Sequence, residues 1–288
     1  MNSITILKIS FAVVFISLSA NINAQTKSNK VAATIAYGSA MDAGMSEERL
    51  ARIDSMCINA IKDGDLPGIV ALVARNGKII YNKAFGTSNA NTEKALRTDD
   101  IFRLASQSKA ITATAVMMLW EQGKFRLDDP VSKYIPEFKN PVVLDSLNSD
   151  GTYTTTPADK EISIRHLLTH TSGIGYGVID GDDRFKKIYE KAGIIDLFTT
   201  KPISIAENIK KLATLPLHHN PGEKFTYSES YDVLGYFIEI ISGMPFDIFL
   251  RTHIFDPLGM DDTWFYLPDS KANRLVSVQT KEDGQWKN

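Results

Sequence analysis

The sequence predicts a mixed α/β (α+β) chain in which a helix and a β-hairpin lead into a long apolar helix and then into a mostly helical, loop-rich stretch. Three observations carry this. A stripe of Leu50, Ile53, Cys57 and Ile61 falls at helical spacing within Ser46–Lys62. Asn76-Gly77 separates two apolar runs, a strong local hairpin signal. Ser106-Gln107-Ser108-Lys109 stands at the head of a run rich in Ala, Met, Leu and Trp that Gly123 stops.

The elements follow in order. Lys8 precedes the apolar stretch Ile9 to Ala20, and small or polar residues lead to Ala24-Gln25. Residues 1–24 therefore read as a signal peptide, cleaved near Ala24 or else at Ala20. The stretch is too short for a comfortable membrane span, and no Cys follows it to take a lipid anchor. A periplasmic or secreted protein without a stable span after signal removal is expected. Residues 25–41 are small or polar and read as a flexible N-terminus. The helix over 46–62 comes next, then a strand over Ile69–Ala74 and the hairpin return Lys78–Tyr81. Asp100–Ala105 is extended in character, and the apolar helix runs from Ala110 to Gln122.

Beyond Gly123 the region of about 124–245 reads as helix and loop. Asp128 and Asp129 read as helix-capping residues ahead of Pro130 rather than a metal or acid pair. Residues 139–160, polar and rich in Thr, Ser and Asp, read as a surface loop, and 173–203 as irregular. Short helices are expected over Ile164–Leu168, from the Ser204-x-x-Glu207 capping box to Leu212 or Thr214, over about Tyr231–Ile241, and after Pro245. No internal repeat is present.

At 288 residues, 43% of them hydrophobic and 23% charged, the chain can bury a sizeable core. The net charge of −2 and the lack of a long basic run argue against nucleic acid as a partner. Cys57 is the only cysteine, so no intrachain disulfide can form, and its place on the helix stripe makes it a buried thiol.

Chemistry concentrates at Ser106 and Lys109. Three residues apart at a helix start, they share one face, which brings an amine within reach of the hydroxyl. A serine hydroxyl is a poor nucleophile until a base takes its proton, and a desolvated lysine can do so. The helix N-terminus adds free N–H groups suited to a developing oxyanion.

Several further segments join this one in order and spacing: Gly77–Tyr81 with Ala84-Phe85-Gly86, Phe102–Lys109, Leu127-Asp128-Asp129-Pro130-Val131, and His166–Gly173. Pro221-Gly222-Glu223, Tyr227-Ser228, Asp232-Val233-Leu234-Gly235 and Pro257–Met260 complete the set. Together they resemble the serine β-lactamase and penicillin-binding-protein superfamily, and within it class C β-lactamases and family VIII carboxylesterases, over about Ser46 to Leu267. The resemblance implies an antiparallel sheet flanked by helices, with an inserted helical region and a sheet built from both chain ends. It implies Ser106 as acyl-accepting nucleophile, Lys109 as its partner and Tyr227 as second base. A tyrosine of pKa ~10 beside a cationic lysine ionises more easily, which suits that role. No cofactor or metal is implied, because an acyl-enzyme route needs none. The substrate would be a small-molecule ester, β-lactam or peptide.

Two departures stand out. The relatives' Tyr-x-Asn or Tyr-Ser-Leu is here Tyr227-Ser228-Glu229, followed by Asp232-Val233-Leu234-Gly235 at the esterase spacing. Glu229 is a candidate substrate-binding residue with a solvent-facing position as the alternative. A carboxylate cannot donate to a substrate carbonyl as an amide can, which tilts the expectation toward esters. Residues 229–288 also contain no Lys-Thr-Gly, His-Thr-Gly or Trp-Gly-Gly, the relatives' third motif, so a C-terminally incomplete or inactive form is expected. An α/β-hydrolase is disfavoured because no Gly-x-Ser-x-Gly occurs. His166 and His170, four apart, lack the Glu of a zinc motif and read as structural, while His218 and His219 read as loop residues. The competing class is a penicillin-recognition protein that binds cell-wall peptide without turnover.

Overall fold

The computed structural model describes residues 35–197, 199 and 201–288. Residues 1–24, expected from the sequence to be a signal peptide, and most of the segment 25–41 lie outside the described residues.

The Asn76-Gly77 hairpin forms as expected. Strands β2 (Gly68–Arg75) and β3 (Lys78–Asn89) pair antiparallel from Gly68↔Gly86 to Arg75↔Lys78, with a register shift at Val73/Ala74. Asn76 and Gly77 both take positive φ, 52° and 70°, the signature of a tight turn whose twist matches the flanking strands. β3 runs beyond the expected Tyr81 because Gly86, at φ +76°, carries the strand past Pro67, whose carbonyl a Cβ there would strike. Two short strands complete the sheet. β1 (Ala36–Tyr37), at the end of the stretch expected to be flexible, pairs parallel with β3, and β4 (Lys94–Ala95) pairs with its far end.

Helix α1 (Glu47–Lys62), capped by the Ser46 side chain on the Arg49 N–H, lies on this sheet. The core between them is small: Ala40, Leu50 and Tyr81. Cys57 is fully buried on the same helix.

The main core sits in the helical region. Helix α2 (Ser108–Glu121) packs Ala115, Val116 and Leu119 against α6 (Ser230–Ser242), whose Val233, Leu234 and Phe237 are completely enclosed. Phe237 meets Phe125 and Tyr134 edge-on at ring distances of 5.0 and 5.1 Å. Around this pair stand α3 (Ile164–Leu168), α4 (Asp183–Ala192), α5 (Ile205–Leu212) and α7 (Phe246–Leu250), with a π turn at Arg251–Phe255 continuing α7. No single helix among the described residues is long and apolar enough to cross a membrane.

Three expectations are corrected. Residues 139–160 are not a loop: β5 (Val142–Leu147) and β6 (Tyr153–Pro157) form a hairpin. The Thr-rich return strand is exposed throughout, so its polarity mimicked a loop although threonine suits a pleated surface. The hairpin is pinned by two backbone bonds with Leu217, of 2.9 Å to Leu144 and 2.7 Å to Val142. Within 173–203 stands α4, with Asp182 as N-cap, Gly193 as left-handed C-cap and Phe185, Ile188 and Tyr189 buried on one face. Asp128 and Asp129 cap no helix. Asp128 binds Arg165 through two bonds, of 2.7 and 2.9 Å. Asp129 accepts from the Arg126 N–H, from Lys133 and, at 2.6 Å, from the Tyr134 hydroxyl, which hold its pKa down at about 2.

Strand β7 (Thr280–Glu282) and strand β8 (Gln285–Lys287) form a last hairpin. Just before it, Ile101 bonds through its backbone to Arg274 and Val276, fixing the extended segment that enters the candidate site.

Candidate active site

The chain reaches Ser106 through a sharp turn. Ala105 holds φ at +45°, a left-handed conformation that costs a non-glycine residue and persists only where the surroundings impose it. Residues Ala105–Gln107 then form one 3-10 turn, and α2 proper starts at Ser108. Ser106 thus precedes the α-helix rather than lying within its first turn. With three residues per turn the side chains at i and i+3 eclipse, and Lys109 Nζ donates to Ser106 Oγ at 3.4 Å. The Ser106 N–H lies in the first turn, where backbone N–H groups have no intrahelical acceptor.

Tyr227 comes from the segment that enters α6, 121 positions along the chain, and its hydroxyl lies 2.5 Å from Ser106 Oγ. Lys109 Nζ also stands 4.9 Å from the centre of the Tyr227 ring. The three residues named from the sequence therefore meet at one point. Burial alone would raise the Tyr227 pKa, but the Lys109 cation and the bonds to Lys109 and Ser106 outweigh it and hold the phenol below its ordinary value. Ser106 is exposed and Tyr227 is 37% exposed, so the hydroxyl is open to an incoming reactant. An acidified tyrosine in short contact with a serine, with a fixed cation against both, can take the serine proton and return it.

Two residues missed by the sequence reading complete the surroundings. Tyr176 lies parallel to Tyr227, 7° apart with ring centres at 5.6 Å, and its own ring is 5.7 Å from Lys109 Nζ. Its loop is anchored by buried Asp180, which accepts from the Tyr176 N–H at 2.8 Å and bonds His218 Nε2 at 2.9 Å. Nothing local in Gly175-Tyr176-Gly177 marks it except the flanking glycines. His170, read as structural, lies 4.8 Å from the Tyr227 ring centre. Burial and the Lys109 charge bring its pKa down to about 4, so it is neutral at ordinary pH. His166 is structural: it caps α3 through reciprocal bonds of 3.2 Å with Ser163. His219 is a buried loop residue bonded to Thr226 and the Asn220 carbonyl.

Glu229 departs from the expectation. Its side chain does not face solvent: it is 2% exposed, and its Oε1 has no hydrogen-bond partner among the described residues. Burial, with Asp232 and Asp196 adding negative charge, pushes its pKa up to about 9 against a smaller pull from the Gly177 N–H. A neutral acid can donate, unlike the carboxylate assumed from the sequence. The folded-state pKa lies above the unfolded value of ~4.3, so this group's contribution is complete below that pH and is lost as pH rises toward 9. Glu229→Gln, which has no proton to lose, is expected to be more stable than the parent by roughly 3 kcal/mol at pH 7. That raises Tm by about 6–12 °C at this chain length, with the gain vanishing near pH 4. A Gln variant that melts no higher than the parent at neutral pH would contradict this expectation.

Comparisons with known proteins place the chain in a family. The sequence matches the family described as Beta-lactamase over residues 43–288. It is 36% identical over 215 residues to Esterase EstB of Burkholderia gladioli, a match covering 75% of this chain and 51% of that protein. Among solved structures it resembles EstCE1, described as a hydrolase with promiscuous acyltransferase activity, with TM-score 0.69 and 30% identity over 83% of this chain and 58% of that one. The fold is shared also with unliganded simvastatin synthase (LovD) from Aspergillus terreus, at TM-score 0.70 and 24% identity over 84% of this chain and 62% of that one. The chain spans about half the length of the relatives it matches. With the match running from residue 43 to the last residue, and the Ser106, Lys109 and Tyr227 side chains converging within it, the chain belongs to the Beta-lactamase family.

Proposed function

We propose that this chain carries the nucleophilic centre of an exported serine hydrolase that acts through a covalent acyl-enzyme, with esters as the favoured substrates. The observation that carries the reading is the Ser106 hydroxyl held 2.5 Å from the Tyr227 oxygen and 3.4 Å from Lys109 Nζ. Export rests on the sequence of residues 1–24 alone.

Tyr227, as phenolate, takes the Ser106 proton while Oγ attacks the acyl carbon. Lys109, remaining cationic, offsets the negative charge that moves between the two oxygens. The Ser106 N–H donates to the oxyanion that forms on the former carbonyl oxygen. As the tetrahedral species collapses, the bond to the leaving group breaks and Tyr227 returns the proton to it. Water then enters by the same route: Tyr227 takes its proton, the oxygen attacks the acyl carbon, and Ser106 leaves with the proton restored.

The ester preference is supported by the esterase-like spacing after Tyr227 and by the esterase relative. Hydrolysis of p-nitrophenyl acetate or butyrate is expected to exceed cephalosporin hydrolysis in kcat/KM. The reverse order would overturn the preference. A probe adduct on Ser106 without turnover of either substrate would favour a protein that binds without hydrolysing.

A further inference from the structure

We infer that His170 is a positioning residue for Tyr227, its main-chain carbonyl holding the backbone on one side of the base and its imidazole the backbone on the other; this rests on the reading of Tyr227 given above. The main chain and side chain of one residue do the clamping. The Thr226 N–H donates to the His170 carbonyl at 2.8 Å, and the Ser228 N–H donates to His170 Nδ1 at 3.2 Å. Tyr227 lies between these two anchors. Its ring meets the imidazole at 4.8 Å, and the same imidazole contacts Tyr231 at 5.0 Å and Phe225 at 5.7 Å.

The clamp is itself braced. Ser228 Oγ lies 3.1 Å from His170 Nδ1 and 2.7 Å from Ser230 Oγ, which lies 2.8 Å from Ser172 Oγ. Ser172 in turn accepts from the Ile174 N–H at 3.1 Å. All three serines are completely buried, so this hydroxyl chain is sealed from water and ties the loop after α3 to the entry of α6. His170 holds φ at +53°, and such strain in a bulky residue concentrates where a fixed geometry is used.

The clamp depends on protonation. Nδ1 can accept from the Ser228 N–H only without a proton of its own, so the ring must be neutral with its proton on Nε2. The titratable groups facing it are Lys109 from α2, Tyr227 from the α6 entry and Tyr231 from α6; the cation of Lys109 and burial both favour the neutral ring. The sequence reading found no role for this residue beyond structure, because its two bonds go to a segment more than fifty positions away.

The test uses the full chain and a fluorophosphonate probe, with the rate of Ser106 modification followed across pH. His170→Phe keeps the ring contacts and removes the acceptor, and a misplacement of the base by about 1 Å is expected to slow modification ~10²-fold. The pH midpoint of the rate should shift as well. His170→Asn supplies an amide oxygen and tolerates the left-handed backbone, so it is expected to restore the rate to within about tenfold. A His170→Phe variant with the parental rate and midpoint would overturn the clamp. So would equal losses in both variants with an unmoved midpoint, the pattern of a purely structural residue. Should His170→Phe not fold, imidazole nitrogen NMR of the parent chain remains decisive: the expected tautomer carries its proton on Nε2, and a protonated Nδ1 at pH 7 contradicts the proposal. Tyr227→Phe run in parallel separates the two claims. Unimpaired modification there refutes Tyr227 as the base, whereas a loss there with none in His170→Phe refutes the clamp alone.

Discussion

Ser106→Ala is expected to lower ester hydrolysis by roughly 10⁴–10⁶-fold, the range seen when a nucleophile is removed from a unit that acts together. The reason is geometric. The Tyr227 oxygen and Lys109 Nζ converge on Ser106 Oγ alone, at 2.5 and 3.4 Å, so deleting that atom leaves a base and a cation with nothing to activate. Ser106, which follows the strained Ala105 turn, is exposed to solvent. The loss should appear in kcat/KM for p-nitrophenyl butyrate with Tm unchanged within a few degrees, because an exposed Ser→Ala change removes no buried contact. Retention of more than about a tenth of the parental rate would mean that another group carries the chemistry.

The second large effect concerns the proton-handling pair. Tyr227→Phe removes the base and Lys109→Ala the cation that favours its ionised form, and each is expected to cost about 10²–10⁴-fold. The double variant should be little worse than the worse single, since neither residue works without the other. The pH dependence gives the sign. The phenol is held below its ordinary value by Lys109 and Ser106, so the rate should rise with pH through that lowered value. In Lys109→Ala the largest lowering cause disappears and the rising limb must move to higher pH. Multiplicative losses, or a limb that stays in place, would show that Lys109 and Tyr227 are not coupled.

Local chemistry was legible in the sequence where it depends on neighbours along the chain. Ser106 and Lys109 are three residues apart, and a single helical turn is enough to bring them together. The Asn76-Gly77 hairpin, the helix α1 and the Ser204–Glu207 capping box were legible for the same reason. Tyr227 was not deducible from spacing and was named through the family resemblance, because the contact with Ser106 spans 121 positions. What the residues alone did not reveal depends on what covers what. Glu229 is buried by the 175–177 loop packed over it, which no pattern around position 229 announces. The polar strand β6 looked like loop because its pairing with β5, and the docking of β5 on Leu217, are tertiary facts. Helix α4 was legible in principle, from Asp182, the Phe185–Tyr189 stripe and Gly193, and the glycine-rich residues before it obscured the period.

The most direct measurement of the central claim is the location of the acyl group. The full chain is treated with a fluorophosphonate or with a slowly deacylating ester, and the modified peptide is identified by mass spectrometry. One adduct is expected, on the peptide bearing Ser106, which disappears in Ser106→Ala and forms at least ~10²-fold more slowly in Tyr227→Phe. An adduct on any other serine, or ester turnover with no covalent adduct trapped under these conditions, would contradict it.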